Sequence, residues 1–379
     1  MHVENTDHPD ARTIQRVLLG MSGGVDSSAA AVLLQEQGYA VTGVTLKLWS
    51  ESDEPALQAK AGQTCCSLDD VRDARLVADR LGIPHYVFNF KDLFLEQVVQ
   101  PFIDAYRLGR TPNPCILCNQ AIKFDLLLQR AMAMGFDAVA TGHYARIEQD
   151  PGSGEYQLRR GLDPRKDQSY VLYGLSQDQL ARVLLPLGAY RKDEIRVIAA
   201  DRGLVNARKP DSQEICFIDD EGYQAFLERR QAAGEPGDFV DRDGKAIGRH
   251  QGIGRYTIGQ RKGLGQAFGS RVFVTDLDPL RNQVRLGSEE DLKRSSLVAD
   301  QIKQTGFALL TGAGAPALTI TAQIRYQAKP ASAILTPLEG DRVRIDFAEP
   351  QRAITPGQAV VFYQDDRVLG GGRIVASLM

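Results

Sequence analysis

The sequence predicts an α/β protein that opens with a parallel sheet flanked by helices and closes in β structure. Three observations carry that expectation. Short β-rich runs alternate strictly with helical patterns through the first 145 residues. A glycine turn, Ser22-Gly23-Gly24-Val25-Asp26-Ser27, joins the first strand pattern to the first helical one. From about residue 297 short β-branched runs recur between turn signals (ALTITAQIRY, RVRIDF, QAVVFY, RIVA). Strand and helix in alternation argue for a parallel sheet, whose ligands sit beyond the C-terminal ends of the strands.

In order, RVLL (16–19) reads as a strand and residues 27–37 as a helix stopped by Gly38. Residues 41–49 form a second strand pattern, 69–81 a helix ending at Gly82, and 86–90 a third strand. A helix over 92–108 gives way to a proline-rich loop at 109–118, a helix over 121–134 stops at Gly135, and AVAT (138–141) closes the series. Residues 157–210 look mixed, with a helix near 193–202, and 240–290 are glycine-rich and strand-like. The runs from 297 suit a small antiparallel barrel or sandwich. The expected organisation is a loose tail (1–14), a catalytic α/β domain (15–215), a β-rich central domain (216–294) and a C-terminal β-barrel (295–379).

Composition fits an ordinary globular chain: 379 residues, 43% hydrophobic and 25% charged, enough for two or three domains. The longest apolar run, Ala29–Leu34, is far short of the roughly 18 residues that cross a bilayer. The opening MHVENTDHPDAR lacks the basic start and apolar core of a secretory signal. Five cysteines, an odd number, do not make a disulfide framework; a reducing cytoplasm is the expected compartment, and any paired cysteines are candidates for chemistry. Net charge is only −3, but positive charge is gathered locally. Residues 157–210 hold eleven Lys and Arg against six acids, and 242–285 nine against three, with an acidic stretch between. Such segments suit a long polyanion, although solvated faces in a chain this long fluctuate in the same way.

Two adjacent glycines after a strand let backbone N–H groups approach an anion, and the following helix adds its positive dipole. Ser22 and Ser27 add hydroxyls. Neither a Walker A lysine pattern nor GxGxxG occurs. Cys115 and Cys118 form a CxxC, Cys216 lies far along the chain, and Cys65 and Cys66 are adjacent. The histidines (His2, His8, His85, His143, His250) offer no zinc-ligand spacing. Cys118, just before a helix expected to begin near Asn119, is placed for a lowered pKa and nucleophilic attack, with Cys216 as its distant partner.

The glycine turn resembles the pyrophosphatase-type (PP) loop of enzymes that split ATP between its α- and β-phosphates. With SGGVDSS, RTPNPxxxCNxxIKF, ATGHYAR, RKDQSY, SQEICFI and GIGRYTIGQRKGLG in this order, the chain resembles the bacterial tRNA-uridine 2-sulfurtransferases, also called tRNA-specific 2-thiouridylases, from about residue 16 to its end. The resemblance implies an adenine nucleotide α-hydrolase-like PP-loop domain and 2-thiolation of the wobble uridine of lysine, glutamate and glutamine tRNAs. It also implies ATP with Mg, and a persulfide relay fed by a cysteine desulfurase or sulfur carrier protein. By position it implies ATP contacts at Gly20, Met21, Ser22, Gly23, Gly24, Val25, Asp26, Ser27, Leu46 and Gly142. Cys118 takes the place of the nucleophile and Cys216 that of the persulfide. Asn113, Pro114 and Cys115 fall where the target base is met, and His143, Lys166, Asp167, Gln168, Arg325, Tyr326 and Gln358 where tRNA is contacted. Many relatives carry aspartate at Cys115, so Cys115, Cys118 and Cys216 as ligands of a [4Fe-4S] cluster is an alternative to a metal-free relay. Two rival classes use fewer of these features: an ATP-pyrophosphatase acting on a small molecule leaves the cysteines idle, and a non-enzymatic tRNA or sulfur carrier leaves the loop idle. A monomer is expected.

Overall fold

A computed structural model of the protein describes residues 14–49, 68–210, 215–218, 221–306 and 315–378. The expected tail (but for residue 14) and Cys65 and Cys66 lie outside the described residues. The first sheet is parallel throughout. Its central strand β1 (Arg16–Gly20) leads into helix α1 (Val25–Glu36), β2 (Ala40–Lys47), α2 (Leu68–Leu81) and β3 (His85–Asn89). Two helical stretches follow, over 91–107 and 114–133, before β4 (Ala138–Ala140). The order is β3-β2-β1-β4, with the short strand Val183–Leu184 outside β4.

Alternation along β1 builds the core on both faces. Val17 and Leu19 pack against Ala29, Ala30 and Ala31 of α1, whereas Leu18 faces Phe102, Ile122 and Leu127 of the other helical layer. Because chain order runs outward from β1 through β2 to β3 and then returns to β4 on the other side, the crevice between the C-terminal ends of β1 and β4 is a topological switch point. The turns at 21–24 and 141–143 both open there.

Two further sheets follow. Strands Phe273–Asp278, Gln283–Gly287, Gly237–Val240 and Ala246–His250 are neighbours in that order, antiparallel except for the central pair. Six antiparallel strands, Lys293–Gln304, Arg342–Arg352, Ala331–Pro337, Leu318–Gln323, Ala359–Gln364 and Arg367–Leu378, close into a barrel because the first also pairs with the last. This is the barrel of the two C-terminal forms that the sequence allowed. The hairpin Ala145–Gln149 and Tyr156–Arg160 joins the barrel edge through Arg159 opposite Arg367. No helix among the described residues is long and apolar enough to cross a membrane.

Candidate active site

The glycine turn is built by its own hydroxyls. Ser27 Oγ donates to the Gly24 carbonyl at 3.1 Å and accepts from the Ser22 N–H at 3.2 Å, and Ser28 Oγ donates to the same carbonyl at 3.0 Å. No side chain caps α1 at Gly24, so capping does not consume the N–H groups of its first turn. Gly23 has φ +74°, and a Cβ there would stand 2.9 Å from the Asp70 carbonyl carbon. A Cβ at Gly142 would lie 2.9 Å from the Ser27 nitrogen. Only glycine lets the β1 and β4 turns meet.

Asp26 is held from two sides. Lys192 Nζ, on a buried side chain, donates to both its oxygens at 2.7 and 2.8 Å, and Tyr144 Oη donates to Oδ1 at 2.7 Å. Asn206 Nδ2 donates to the Gly23 carbonyl at 3.0 Å and to Ser28 Oγ at 2.8 Å. Lys209 Nζ donates to Asp70 and Asp73 at 2.8 and 2.6 Å, tying the chain upstream of Cys216 to α2. Sequence reasoning missed Lys192 and Asn206, because their partners lie 166 and 183 residues away.

A cavity of about 350 Å³ opens over this turn. Its wall includes Gly20, Met21, Ser22, Asp26 and Ser27, with Leu46 of β2 and Gly142 and His143 after β4. Pro114, Cys115 and Cys118 of the second helical stretch, Cys216 and Gln168 complete the expected residues on it. Gly23 and Gly24 form the turn beneath, and Val25 is buried. Sequence reasoning also missed Lys123, on the same wall within the IKF motif.

The cysteine helix begins earlier than the sequence suggested. Asn113 accepts the Cys115 N–H on its side chain at 3.1 Å and Pro114 takes the first helical position, so the helix starts at Pro114 rather than near Asn119. Cys115 is therefore exposed in the first turn and Cys118 buried one turn further in, where a π-helix runs over Cys118–Leu126. Cys216, partly buried, packs against the apolar cluster that contains Cys118. Among the described residues no three His, Cys, Asp or Glu side chains converge to hold a metal ion. The three thiols line one cavity, Cys115 exposed on the outer turn and Cys118 buried. Cys115, Cys118 and Cys216 are the thiols that would hold an iron–sulfur cluster in this cavity.

Family models cover most of the chain. One described as the tRNA methyl transferase HUP domain matches residues 15–220, a tRNA methyl transferase PRC-barrel domain matches 224–288, and an aminomethyltransferase β-barrel domain matches 300–374. The tRNA-specific 2-thiouridylase MnmA of Desulforamulus reducens is 52% identical over 95% of this chain and 97% of its own. That of Heliobacterium modesticaldum is 53% identical over 96% and 93%, and that of Carboxydothermus hydrogenoformans 51% identical over 95% and 97%. This chain belongs to the tRNA-specific 2-thiouridylase family.

Within this thiouridylase fold the residues expected at the RNA sort into wall, frame and surface. His143 is buried on the cavity wall, its Nδ1 2.7 Å from Thr141 Oγ1. Burial first, and then the Lys123 charge, hold its pKa well below the ordinary histidine value, so it is neutral. Gln168 Oε1 accepts the Tyr144 N–H at 3.0 Å. Asp167 is used internally: Arg160, the Gly161 N–H, and the Ser169 N–H and Oγ all donate to it at 2.8 to 3.1 Å. Lys166 is half-buried beside it. From the barrel, Gln358 Nε2 donates to the Thr111 carbonyl at 2.9 Å, bracing the loop before Asn113. Arg325 donates to the Arg352 carbonyl at 2.8 Å, and Tyr326 is exposed. Although the Tyr326 side chain is 38% exposed overall, its hydroxyl is pushed up to about 12, first by partial burial and then by the charges of Asp167 and Cys115.

Proposed function

We propose that the protein 2-thiolates the wobble uridine of tRNA, consuming ATP and a cysteine persulfide. The uridine C2 oxygen is a poor leaving group as oxide and a good one as AMP. In this reading the glycine turn and the first turn of α1 hold the phosphates while that oxygen attacks the α-phosphorus and pyrophosphate leaves. Asp26 is the carboxylate among the described residues of the wall, but Lys192 and Tyr144 engage its oxygens, so a magnesium ion would be held chiefly by the nucleotide phosphates it arrives on and would supply charge neutralisation there.

Sulfur then replaces AMP at C2. Either Cys118 attacks the Cys216 sulfur and frees hydrosulfide, which adds to C2, or the terminal persulfide sulfur adds first and Cys118 releases it. Both routes expel AMP, form a Cys118–Cys216 disulfide and need an external thiol reductant to reset. The target base must leave the anticodon stack, at a cost of a few kcal/mol, which phosphate contacts along the basic segments offset. Asn113, Pro114 and Cys115 meet the flipped base, and His143, Lys166, Asp167, Gln168, Arg325, Tyr326 and Gln358 serve RNA binding directly or by framing the site. Lysine, glutamate and glutamine tRNAs are the proposed substrates, a cysteine desulfurase or sulfur carrier the donor, and a cytoplasmic monomer the working form.

The observation that supports this reading is the shared cavity, with the phosphate turn, Cys118 and Cys216 on one wall. The test is incubation with unmodified glutamate tRNA, ATP and a persulfide source, read on a mercury-containing gel that retards thiolated RNA. Cys118→Ala and Cys216→Ala abolish the retarded band, whereas Cys65→Ala and Cys66→Ala keep it. Full activity of either of the first two refutes the relay.

A further inference from the structure

Resting on the proposed role of Cys118 as nucleophile, we infer that Lys123 is the cation that holds Cys118 as a thiolate, and that the π-helical winding of residues 118–126 sets the two side chains on one face. Cys118 is 7% exposed within an apolar cluster that includes Ile122 and Phe217, surroundings that disfavour a thiolate. The helix dipole offers little, because the helix starts at Pro114 and its field fades beyond the first turn. A buried nucleophilic thiol there needs a nearby positive charge.

The cavity wall identifies it. Helix α1 contributes Asp26, whose carboxylate would oppose a thiolate and is engaged by Lys192 and Tyr144. The turn after β4 contributes His143, which is neutral, and the 215–218 segment contributes Cys216. Strand β2 and the helical stretch over 91–107 place no titratable residue on the wall, and the cysteine helix adds Cys115 and Lys123. Lys123 is thus the positive charge on the wall among the described residues.

The winding supplies the geometry. Five residues along an α-helix turn the side chain about 140° away, whereas a helix closed by i→i+5 bonds, at roughly 4.4 residues per turn, reduces that offset to about 50°, so that the pair shares a face much as an ordinary i,i+4 pair does. Cys118 opens the π-helical segment and Lys123 is its sixth residue, and both line the cavity. The thiol proton passes to bulk water, and the ammonium remains to offset the sulfur's charge until that sulfur forms its bond.

The experiment reads thiol acidity rather than turnover. In a Cys115→Ser background, which leaves Cys118 as the one thiol of its peptide, iodoacetamide alkylation of Cys118 is followed by mass spectrometry across pH 5 to 10. Lys123→Met is expected to raise the midpoint by about one pH unit, a roughly tenfold slower alkylation at neutral pH, and Lys123→Arg to keep it. If the Lys123→Met protein and its parent both melt cooperatively and give coincident profiles, the inference is overturned. A Lys123→Arg profile displaced as far as that of Lys123→Met overturns it equally. Should Lys123→Met not fold, Lys123→Gln is judged by the same criterion. A separate result, thiolation surviving Cys118→Ala, would remove the nucleophile role while leaving the charge pairing standing.

Discussion

Replacing Gly23 by alanine isolates what the phosphate turn needs from glycine. Two costs arise there. A Cβ at φ +74° carries the left-handed penalty of about 1 kcal/mol or more. It would also stand 2.9 Å from the Asp70 carbonyl carbon, where ordinary contact begins near 3.4 Å. Backbone on both sides must therefore give by about half an ångström or more, at about 1–3 kcal/mol for overpacking. Gly38 is the control, because at φ +88° an added Cβ meets nothing within 4 Å. Gly38→Ala is expected to lose about 1 kcal/mol in urea unfolding with ATP affinity unchanged. Gly23→Ala is expected to lose about 2–5 kcal/mol of stability or loop order. Because catalytic geometry displaced by about 1 Å costs on the order of a hundredfold, its thiolation kcat/KM should fall roughly 10- to 100-fold. Calorimetric ATP titration beside the melting curve separates the two effects. A Gly23→Ala protein that binds ATP and thiolates RNA within about twofold of the parent refutes this account of the turn.

Lys192→Met removes the buried ammonium from the Asp26 carboxylate and should lower stability by about 3 kcal/mol, while Asp26→Asn with Lys192→Met should cost less than the sum of the two single changes, measured by denaturant unfolding. His143 has a folded pKa well below 6.5, so as pH falls through the unfolded value the unfolded chain takes up a proton that the native chain refuses. Its contribution to stability is therefore present above pH 6.5 and is lost on acidification, and the slope of melting temperature between about pH 7 and 5.5 should flatten in His143→Gln. Gln358→Ala releases the Thr111 carbonyl from the barrel and should raise KM for tRNA severalfold while the melting temperature changes little, read from steady-state kinetics beside a thermal melt. Affinity for tRNA should fall steeply between about 50 and 200 mM salt, in proportion to the number of phosphates contacted; a flat dependence contradicts binding along the basic segments.

Local pattern carries the parallel sheet, because each strand and helix there is continuous in sequence and punctuated by glycine at Gly38, Gly82 and Gly135. The phosphate turn is legible for the same reason, since the hydroxyl hydrogen bonds that shape it lie between Ser22 and Ser28, although Asn206 braces it from far along the chain. What depends on distant chain is not. Lys192 looks like any helix-opening lysine until the fold sets it on Asp26. The hairpin at 145–160 joins the barrel through residues some two hundred positions later. Asn113-Pro114 reads as loop because prolines cluster there, although a capping asparagine followed by proline also opens a helix. The π-helical turn that aligns Cys118 with Lys123 leaves no trace in hydrophobic spacing, which for one irregular turn inside a helix is indistinguishable from an ordinary period.

The most direct measurement is a single turnover. Protein persulfidated at Cys216 is mixed with ATP and unmodified tRNA without reductant, and the Cys118–Cys216 disulfide is quantified by non-reducing peptide mass spectrometry beside the 2-thiouridine formed. Activated nucleotide and transferable sulfur sharing one cavity predicts one disulfide for each modified base, and no modified base without ATP. Modified base accumulating with Cys118 still reduced, or sulfur reaching RNA in the absence of ATP, contradicts it.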